Sequence, residues 1–199
     1  MSRIISPRSP GARPALPFLE PKFSPLAYSL IRLAGPAYLK YGEGISRVTV
    51  RHGARLVEEY RRFSAGESRL FVAFRHPAAS DAPLIAHLFA RRLKGLARAE
   101  GVRLPRRTFV HFLYGRGVPI WAGFPTGWLL PRLAAVPVYH RRLDSVGMRA
   151  VREAAVDGEF PVALAPEGQV TYHNDTFGEL EEGTGRLALW AQSDSAKQG

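Results

Sequence analysis

The sequence predicts a single α/β domain with a largely parallel or mixed sheet flanked by helices. Strand-like and helix-like segments alternate along most of the 199 residues, which is the pattern of helices that connect parallel strands. No internal repeat or linker divides the chain. Its length suffices for one domain with a substantial apolar core.

The first segment, residues 1–22, predicts a disordered basic arm. It contains Arg3, Arg8 and Arg13, and prolines at positions 7, 10, 14, 17 and 21 interrupt it. No continuous apolar run follows the arginines, so the segment is not typical of a secretory signal.

Residues 23–44 predict an amphipathic helical segment, interrupted near Gly35-Pro36 because proline lacks the amide N–H that a helix interior requires. Apolar residues recur at helical spacing, at Leu26, Leu30, Leu33 and Ala37. Tyrosines and basic residues flank this apolar stripe, which suits a helix in a membrane interface. The alternative is a helix that packs on the domain.

Residues 45–199 predict the α/β domain. Short apolar runs predict strands at 47–50, 69–74, 108–114, 135–139 and 160–165. Longer segments with recurring apolar residues predict helices at 54–63, 82–93, 145–156 and 184–192. The very apolar segment 118–134 predicts short helices broken by Gly123 and Pro125. Because the chain ends in a polar segment after a helix, without a following strand, we expect the domain to lack its C-terminal part.

Composition narrows the class of protein. No stretch of about 18 uninterrupted apolar residues is present, so no membrane-spanning helix is predicted. The absence of cysteine excludes disulfides and thiolate metal sites, and it fits a reducing compartment. The formal net charge of +11 predicts attraction to polyanions such as nucleic acid, anionic lipid or phosphorylated small molecules. Biased codon usage is an alternative source of the excess arginine.

The segment RLFVAFRHPAASD places two chemically active residues after a predicted strand. His76 ends the strand and Asp81 begins the next helix, and ligands bind at the carboxyl ends of strands in open α/β sheets. Pro77 biases His76 toward an extended backbone, so the chain can turn and bring the carboxylate onto the imidazole. A histidine held in this way acts as a general base toward a hydroxyl. The alternative for Asp81 is a helix cap, together with Ser80.

Two further clusters follow predicted strands. Glu167 and Gly168 come after the last strand, where a turn can bring Glu167 into the same cleft; an ordinary turn with a solvated glutamate is the alternative. Arg141 and Arg142 follow the preceding strand, where an arginine is well placed for a phosphate; a solvated basic loop is the alternative. Because all three clusters follow strands, we expect them to share one edge of the sheet.

Other catalytic patterns are missing from the sequence. It has no GxSxG of a serine hydrolase, no Walker-type glycine loop and no HExxH metal-binding pattern. Three further histidines, His52, His87 and His111, are predicted to be structural or surface residues.

The order of the three clusters resembles the glycerolipid acyltransferase family typified by 1-acylglycerol-3-phosphate acyltransferases. The HxxxxD block of that family is matched by His76 through Asp81. Its second block, an apolar strand that ends in arginine, is similar to VPVYHRR, with Arg141 as the matching arginine. Its PEGTR block is matched in part by Pro166-Glu167-Gly168.

The resemblance covers roughly residues 45–192 and includes an apolar segment before the second block, at 117–139. Three positions depart from the family pattern. Arg75 stands where the family usually has asparagine, and Gln169 and Val170 replace the threonine and arginine that close its third block. In the family that arginine helps to hold the phosphate of the acceptor, so a phosphorylated acceptor is less firmly implied.

The resemblance implies a glycerolipid acyltransferase-like fold and an O-acyltransferase. The acyl group would move from acyl-CoA or acyl-carrier protein, as co-substrate, to the hydroxyl of a lysophospholipid such as 1-acylglycerol-3-phosphate, with no metal or other cofactor. His76 would be the general base and Asp81 would hold its ring. Glu167 and Gly168 would shape the acceptor site, and Arg141 would contact phosphate. The protein would bind peripherally to an anionic membrane surface, at its cytoplasmic face.

Two other interpretations stay open. A basic nucleic-acid-binding domain would explain the charge, but the sequence has no recognised binding motif and its aromatic residues lie in apolar runs, so nucleic acid is not the expected partner. A catalytically silent relative of the acyltransferases would retain lipid binding without turnover.

Overall fold

Four parallel strands form the centre of the structure. The computed structural model describes residues 16–139, 144–176 and 178–198. Its strands are β1 (Phe71–Ala73), β2 (His111–Gly115), β3 (Val136–Val138) and β4 (Val162–Leu164). They lie in the order β1-β4-β2-β3, and every neighbouring pair is parallel. The predicted α/β class with a largely parallel sheet is therefore confirmed.

Eight α-helices accompany these strands in the described part of the chain. They are α1 (Pro25–Ala37), α2 (Gly53–Ser64), α3 (Asp81–His87), α4 (Leu93–Ala99), α5 (Val118–Trp121), α6 (Gly123–Arg132), α7 (Ser145–Val156) and α8 (Gly183–Gln198). A π-helical turn, Leu88–Arg92, joins α3 to α4, and another, Tyr38–Gly42, extends α1. The predicted helix at 82–93 is therefore longer than expected, and Pro36 does not end α1.

The alternation of side chains along the strands divides the core into two layers. Phe112, Tyr114 and Ala163 face one side, where they pack with α1, α2, the α3–α4 region and α6. Val162 and Leu164 face the other side, where they pack with α7 and α8. Each strand thus contributes apolar residues to both faces, as expected for a parallel sheet covered by helices.

The prediction of a strand at 47–50 is wrong. In the structure this segment joins no other strand, and Val48 and Val50 are only partly buried while Arg47 and Thr49 are exposed. The alternating pattern fits a strand with one apolar face, whereas the strands of this sheet are covered on both faces. A local preference for extended backbone therefore does not create a strand where no partner strand is available.

Helix α1 packs on the domain with one face only. It begins after Ser24, whose hydroxyl accepts the Ala27 N–H at 3.3 Å, and the buried Tyr28 hydroxyl donates to the Ala90 carbonyl. The apolar stripe of the sequence analysis lies on the opposite face. The exposed fractions of its leucines are large, at 75% for Leu26, 51% for Leu30 and 73% for Leu33. The helix therefore packs on the domain, as the alternative holds, but with the face opposite to this stripe.

The described part of the predicted disordered arm contacts the domain. The Lys22 N–H donates to the Pro131 carbonyl at 2.8 Å, and the Leu16 N–H donates to the Tyr139 hydroxyl at 2.5 Å. Hydrogen bonds from backbone N–H groups thus attach residues 16–22 to the end of α6 and to Tyr139, directly after β3. Residues 1–15 lie outside the described residues.

The last helix, α8, covers part of the second core layer. Its buried residues, Leu187 and Ala191, contact this layer, while Leu189 and Trp190 are exposed. An Arg152–Asp194 ion pair links α7 to α8. None of the described helices is long and apolar enough to cross a membrane.

His111 joins three segments in the interior. Its Nδ1 lies 2.9 Å from the Ala134 carbonyl oxygen, and its Nε2 accepts the Phe160 N–H at 3.3 Å. This arrangement requires a neutral ring with the proton on Nδ1, because a second proton on Nε2 would face the Phe160 donor. Burial lowers the pKa of His111, although the Ala134 carbonyl and Glu159 act in the opposite direction. The prediction of a structural role for His111 is thus confirmed.

We expect the free energy of unfolding to fall as the pH falls below about 6.5, the ordinary pKa of histidine. The unfolded chain binds a proton at His111 below its ordinary pKa, whereas the folded chain resists that proton until a lower pH. The stability from the neutral ring is therefore complete above the ordinary pKa and is lost as pH falls. Urea unfolding at several pH values gives the free energy of unfolding as a function of pH. This free energy should change less with pH in His111→Asn than in the control His173→Asn. An equal pH dependence in the two variants would contradict the neutral state of the buried His111 ring.

Candidate active site

The parallel sheet places the carboxyl ends of all four strands at one edge. His76 follows β1, Arg116 follows β2, Tyr139 follows β3 and Glu167 follows β4. Because β1 and β4 are hydrogen-bonded neighbours, the loops that carry His76 and Glu167 are adjacent. This juxtaposition agrees with the expectation for two of the three predicted clusters, those around His76 and Glu167.

His76 and Asp81 form the pair that their spacing predicts. The His76 Nδ1 lies 3.2 Å from the Asp81 Oδ2, and both side chains are about one-fifth exposed. A proton on Nδ1 points at the carboxylate, so the lone pair of Nε2 is available to a substrate. The Phe74 ring borders the imidazole at an edge-to-face angle of 69°, which gives the pair one apolar wall.

Asp81 holds the turn before α3 as well as the imidazole. The same Oδ2 atom accepts the Ala78 N–H at 2.8 Å, and Asp81 is the first residue of the helix. The Ser80 side chain makes no capping hydrogen bond. The alternative of a simple cap formed by Ser80 and Asp81 therefore does not describe this turn, because the carboxylate folds back over the loop toward His76.

Glu167 fixes the backbone of His76. Only 6% of its surface is exposed. Its Oε2 accepts the His76 N–H at 2.9 Å, and its Oε1 accepts the Gly178 N–H at 3.3 Å. The hydrogen bond from His76 lowers the pKa of Glu167, with smaller contributions from Gly178 and from the charge of Arg75, so the carboxylate is ionised near neutral pH. The structure rules out the solvated glutamate, because Glu167 is buried and holds the backbone of the loop that carries His76.

Arg75 extends the same network to the loop after β4. Its guanidinium donates to three carbonyl oxygens of that loop, those of His173, Asn174 and Thr176, and its Nε lies 3.7 Å from the Glu167 Oε1. In the sequence, Arg75 is notable only as a departure from the family pattern. Its function is invisible in sequence because its partners lie about one hundred residues away.

Gly168 allows the chain to turn immediately after Glu167. Its φ angle of 69° lies in the left-handed region, which glycine adopts without steric cost. A Cβ atom here would also lie 3.1 Å from the Cγ of Glu181. Gly168 thus orients Glu167 through the backbone.

A second polar cluster lies over the β2–β3 half of the edge. The buried Asp144 accepts the Gly147 N–H as the cap of α7 and accepts the Tyr139 N–H at 2.9 Å. Arg116 donates to Asp144 at 2.5 Å, and its guanidinium lies over the rings of Phe18 and Tyr139. This pair was not predicted from the sequence, although an aspartate directly before a predicted helix is a recognisable cap signal.

The predicted phosphate ligand Arg141, with its neighbour Arg142, lies outside the described residues. Among the residues that the structure describes, no group of three or more histidine, aspartate or glutamate side chains is arranged to hold a metal ion. Comparisons with protein families, curated proteins and solved structures gave no match to this chain. A function is therefore inferred from the geometry at the carboxyl ends of the strands.

We expect Glu167→Gln to destabilise the protein by about 1–3 kcal/mol, because an amide offers one acceptor where the carboxylate accepts two backbone N–H groups. The control is Glu179→Gln, which makes the same substitution at an exposed site of the same loop. Urea unfolding measures the difference, and the NMR signals of the His76 ring report its position. A Glu167→Gln protein with the stability and His76 signals of the control would show that Glu167 does not hold this loop.

Proposed function

We propose that the protein is an O-acyltransferase of the glycerolipid acyltransferase type, with the fold of that family. It would transfer a fatty acyl group from acyl-CoA or acyl-carrier protein to the hydroxyl of a lysophospholipid such as 1-acylglycerol-3-phosphate. The observation that carries this proposal is the His76–Asp81 pair at the carboxyl edge of the sheet, with Nε2 of the imidazole left for a substrate. The order of the motif residues along the chain agrees with it.

In the proposed reaction the Nε2 of His76 removes the proton of the acceptor hydroxyl as its oxygen attacks the thioester carbonyl carbon. Asp81 stabilises the imidazolium that forms, because its carboxylate lies beside Nδ1. The carbon–sulfur bond then breaks, and the thiolate takes the proton from Nε2. The products are an ester and a free thiol, and His76 returns to its neutral form. A thiolate is a good leaving group, so no metal or other cofactor enters this scheme.

The apolar surface beside the edge suits a substrate with a long alkyl chain. Helices α5 and α6 follow β2, and the segment 117–131 contains no charged residue. Three of its large side chains are exposed, namely Ile120, Trp121 and Phe124. Exposed aromatic and aliphatic groups clustered near a catalytic edge are typical of contact with lipid rather than with water. We propose that this surface meets the acyl chain or the bilayer.

The outward face of α1 supports peripheral membrane binding. Leu26, Leu30 and Leu33 point away from the domain, and a helix with such a face binds at the boundary between headgroups and acyl chains. The net charge of +11 favours an anionic surface, such as the cytoplasmic face of a membrane. The rival nucleic-acid-binding domain explains the charge but gives no reason for an apolar outward helix.

We expect His76→Ala to reduce thiol release from an acyl thioester, in the presence of lysophospholipid, by about 10²–10⁴-fold. Asp81→Asn should also lose most of the activity, since an amide does not stabilise the imidazolium. The control is His173→Ala, an exposed histidine in the loop after β4. Circular dichroism checks that all three variants are folded. Turnover by folded His76→Ala at the rate of the control would exclude the proposed mechanism.

We expect the double variant Leu30→Ser/Leu33→Ser to bind anionic vesicles more weakly than the wild type, because it removes apolar surface from the outward face of α1. The matched control is Leu180→Ser/Leu189→Ser, two exposed leucines outside this helix. Vesicle sedimentation should also show weaker binding at higher salt, since screening acts over about 8–10 Å at physiological ionic strength. Equal loss in both double variants would argue against α1 as the membrane contact. Tighter binding to duplex DNA than to vesicles would favour the rival class.

A further inference from the structure

A cavity of about 310 Å³ lies away from the carboxyl ends of the strands. It is bordered by the end of α1, by the segment 45–48, and by His87 and Arg92 at and after the end of α3. Its apolar part is formed by Leu39 and Ile45, and its polar part by Ser46, Arg47, His87 and Arg92. His87 lies six residues beyond Asp81, which is about 9 Å along the helix axis. The volume is that of a small-molecule site.

The two arginines of this cavity have no carboxylate partner. Among the described residues, no ion pair involves Arg47 or Arg92. Some other arginines are paired, as Arg61 is with Glu58 and Arg116 is with Asp144. Two unpaired guanidinium groups that border one cavity create a positive potential in it.

His87 adds a hydrogen-bonding group to the cavity, and no aspartate or glutamate is among the described residues that line it. Burial lowers the pKa of His87, and the adjacent charges of Arg91 and Arg92 lower it further; Arg47 lines the same cavity from another segment. The neutral imidazole provides one N–H donor, and the Ser46 hydroxyl provides an additional donor. The cavity thus contains cations and neutral donors, which is the set of groups that binds a phosphate.

We propose that this cavity binds a phosphate group. Guanidinium groups bind phosphate oxygens through paired hydrogen bonds. A bound phosphate would therefore neutralise the positive charges of Arg47 and Arg92, which have no carboxylate partner in the described part of the chain. The phosphate would belong either to a lipid headgroup or to a free phosphate ion. The cavity lies at the end of α1, whose outward leucines face solvent, and this position suits a lipid headgroup. The inference does not depend on the proposed acyl transfer, because it involves neither His76 nor Asp81.

The first test is binding of inorganic phosphate to the full chain by isothermal titration calorimetry. We expect Arg47→Ala/Arg92→Ala to weaken binding at least about tenfold, since each charge-assisted hydrogen bond contributes on that scale. The control is Arg98→Ala/Arg103→Ala, which removes the same charge from two exposed arginines outside the cavity. In the wild type, phosphate should shift the NMR signals of the His87 ring and leave those of His173 in place. This measurement uses only the wild-type protein, so it does not depend on the folding of any variant.

The second test uses phosphatidylcholine vesicles that contain phosphatidic acid. A larger loss of vesicle binding in the cavity variant than in the control identifies a lipid headgroup as the source of the phosphate. Weaker binding of inorganic phosphate with unchanged vesicle binding identifies a free phosphate. The proposal is overturned if the cavity and control variants behave alike in both tests and the His87 signals do not respond to phosphate. His76→Ala should bind phosphate like the wild type, so failure of the proposed catalysis remains distinguishable from failure of this site.

Discussion

The candidate site depends on one buried carboxylate. Glu167 accepts the backbone N–H of His76 and that of Gly178, and it thereby holds together two loops that leave neighbouring strands. A buried charge is costly unless hydrogen bonds compensate it, and here the compensating donors belong to the segments that must be aligned. The Thr171 N–H also donates to the His76 carbonyl. With its backbone held on both sides, His76 can present its ring to Asp81 on one side and to a substrate on the other.

The remaining features of the molecule are arranged around this edge. The all-parallel sheet brings every strand end to the same side, so residues far apart in sequence form one surface. The Arg116–Asp144 pair stabilises the β2–β3 half of that surface, where it caps α7 and contacts the N-terminal segment through Phe18. Arginines inside such networks have partners, whereas those around the cavity at the end of α1 do not. The proposed phosphate site depends on this difference.

The sequence predicted local features well and long-range contacts poorly. Helix α7 was predicted with its observed bounds, because the apolar spacing along it is a local signal. The His76–Asp81 contact was also predictable, since five residues separate the pair. The strand at 47–50 was predicted wrongly, because its alternating pattern has no strand with which to pair. The contact of Glu167 with His76 spans ninety-one residues, and such a contact follows only from the order of the strands in the sheet.

The central claim, that the edge transfers an acyl group to a hydroxyl, is tested most directly by the identity of the product. The wild-type protein would be given an isotopically labelled acyl thioester, as acyl-CoA and as acyl-carrier protein, with a panel of lysophospholipids. Mass spectrometry then distinguishes labelled ester from labelled free fatty acid. The account predicts a labelled diacyl lipid with one of the acceptors, formed together with an equal amount of free thiol. Labelled fatty acid alone, released at a rate that no lysophospholipid changes, would contradict it, because water would then be the acceptor.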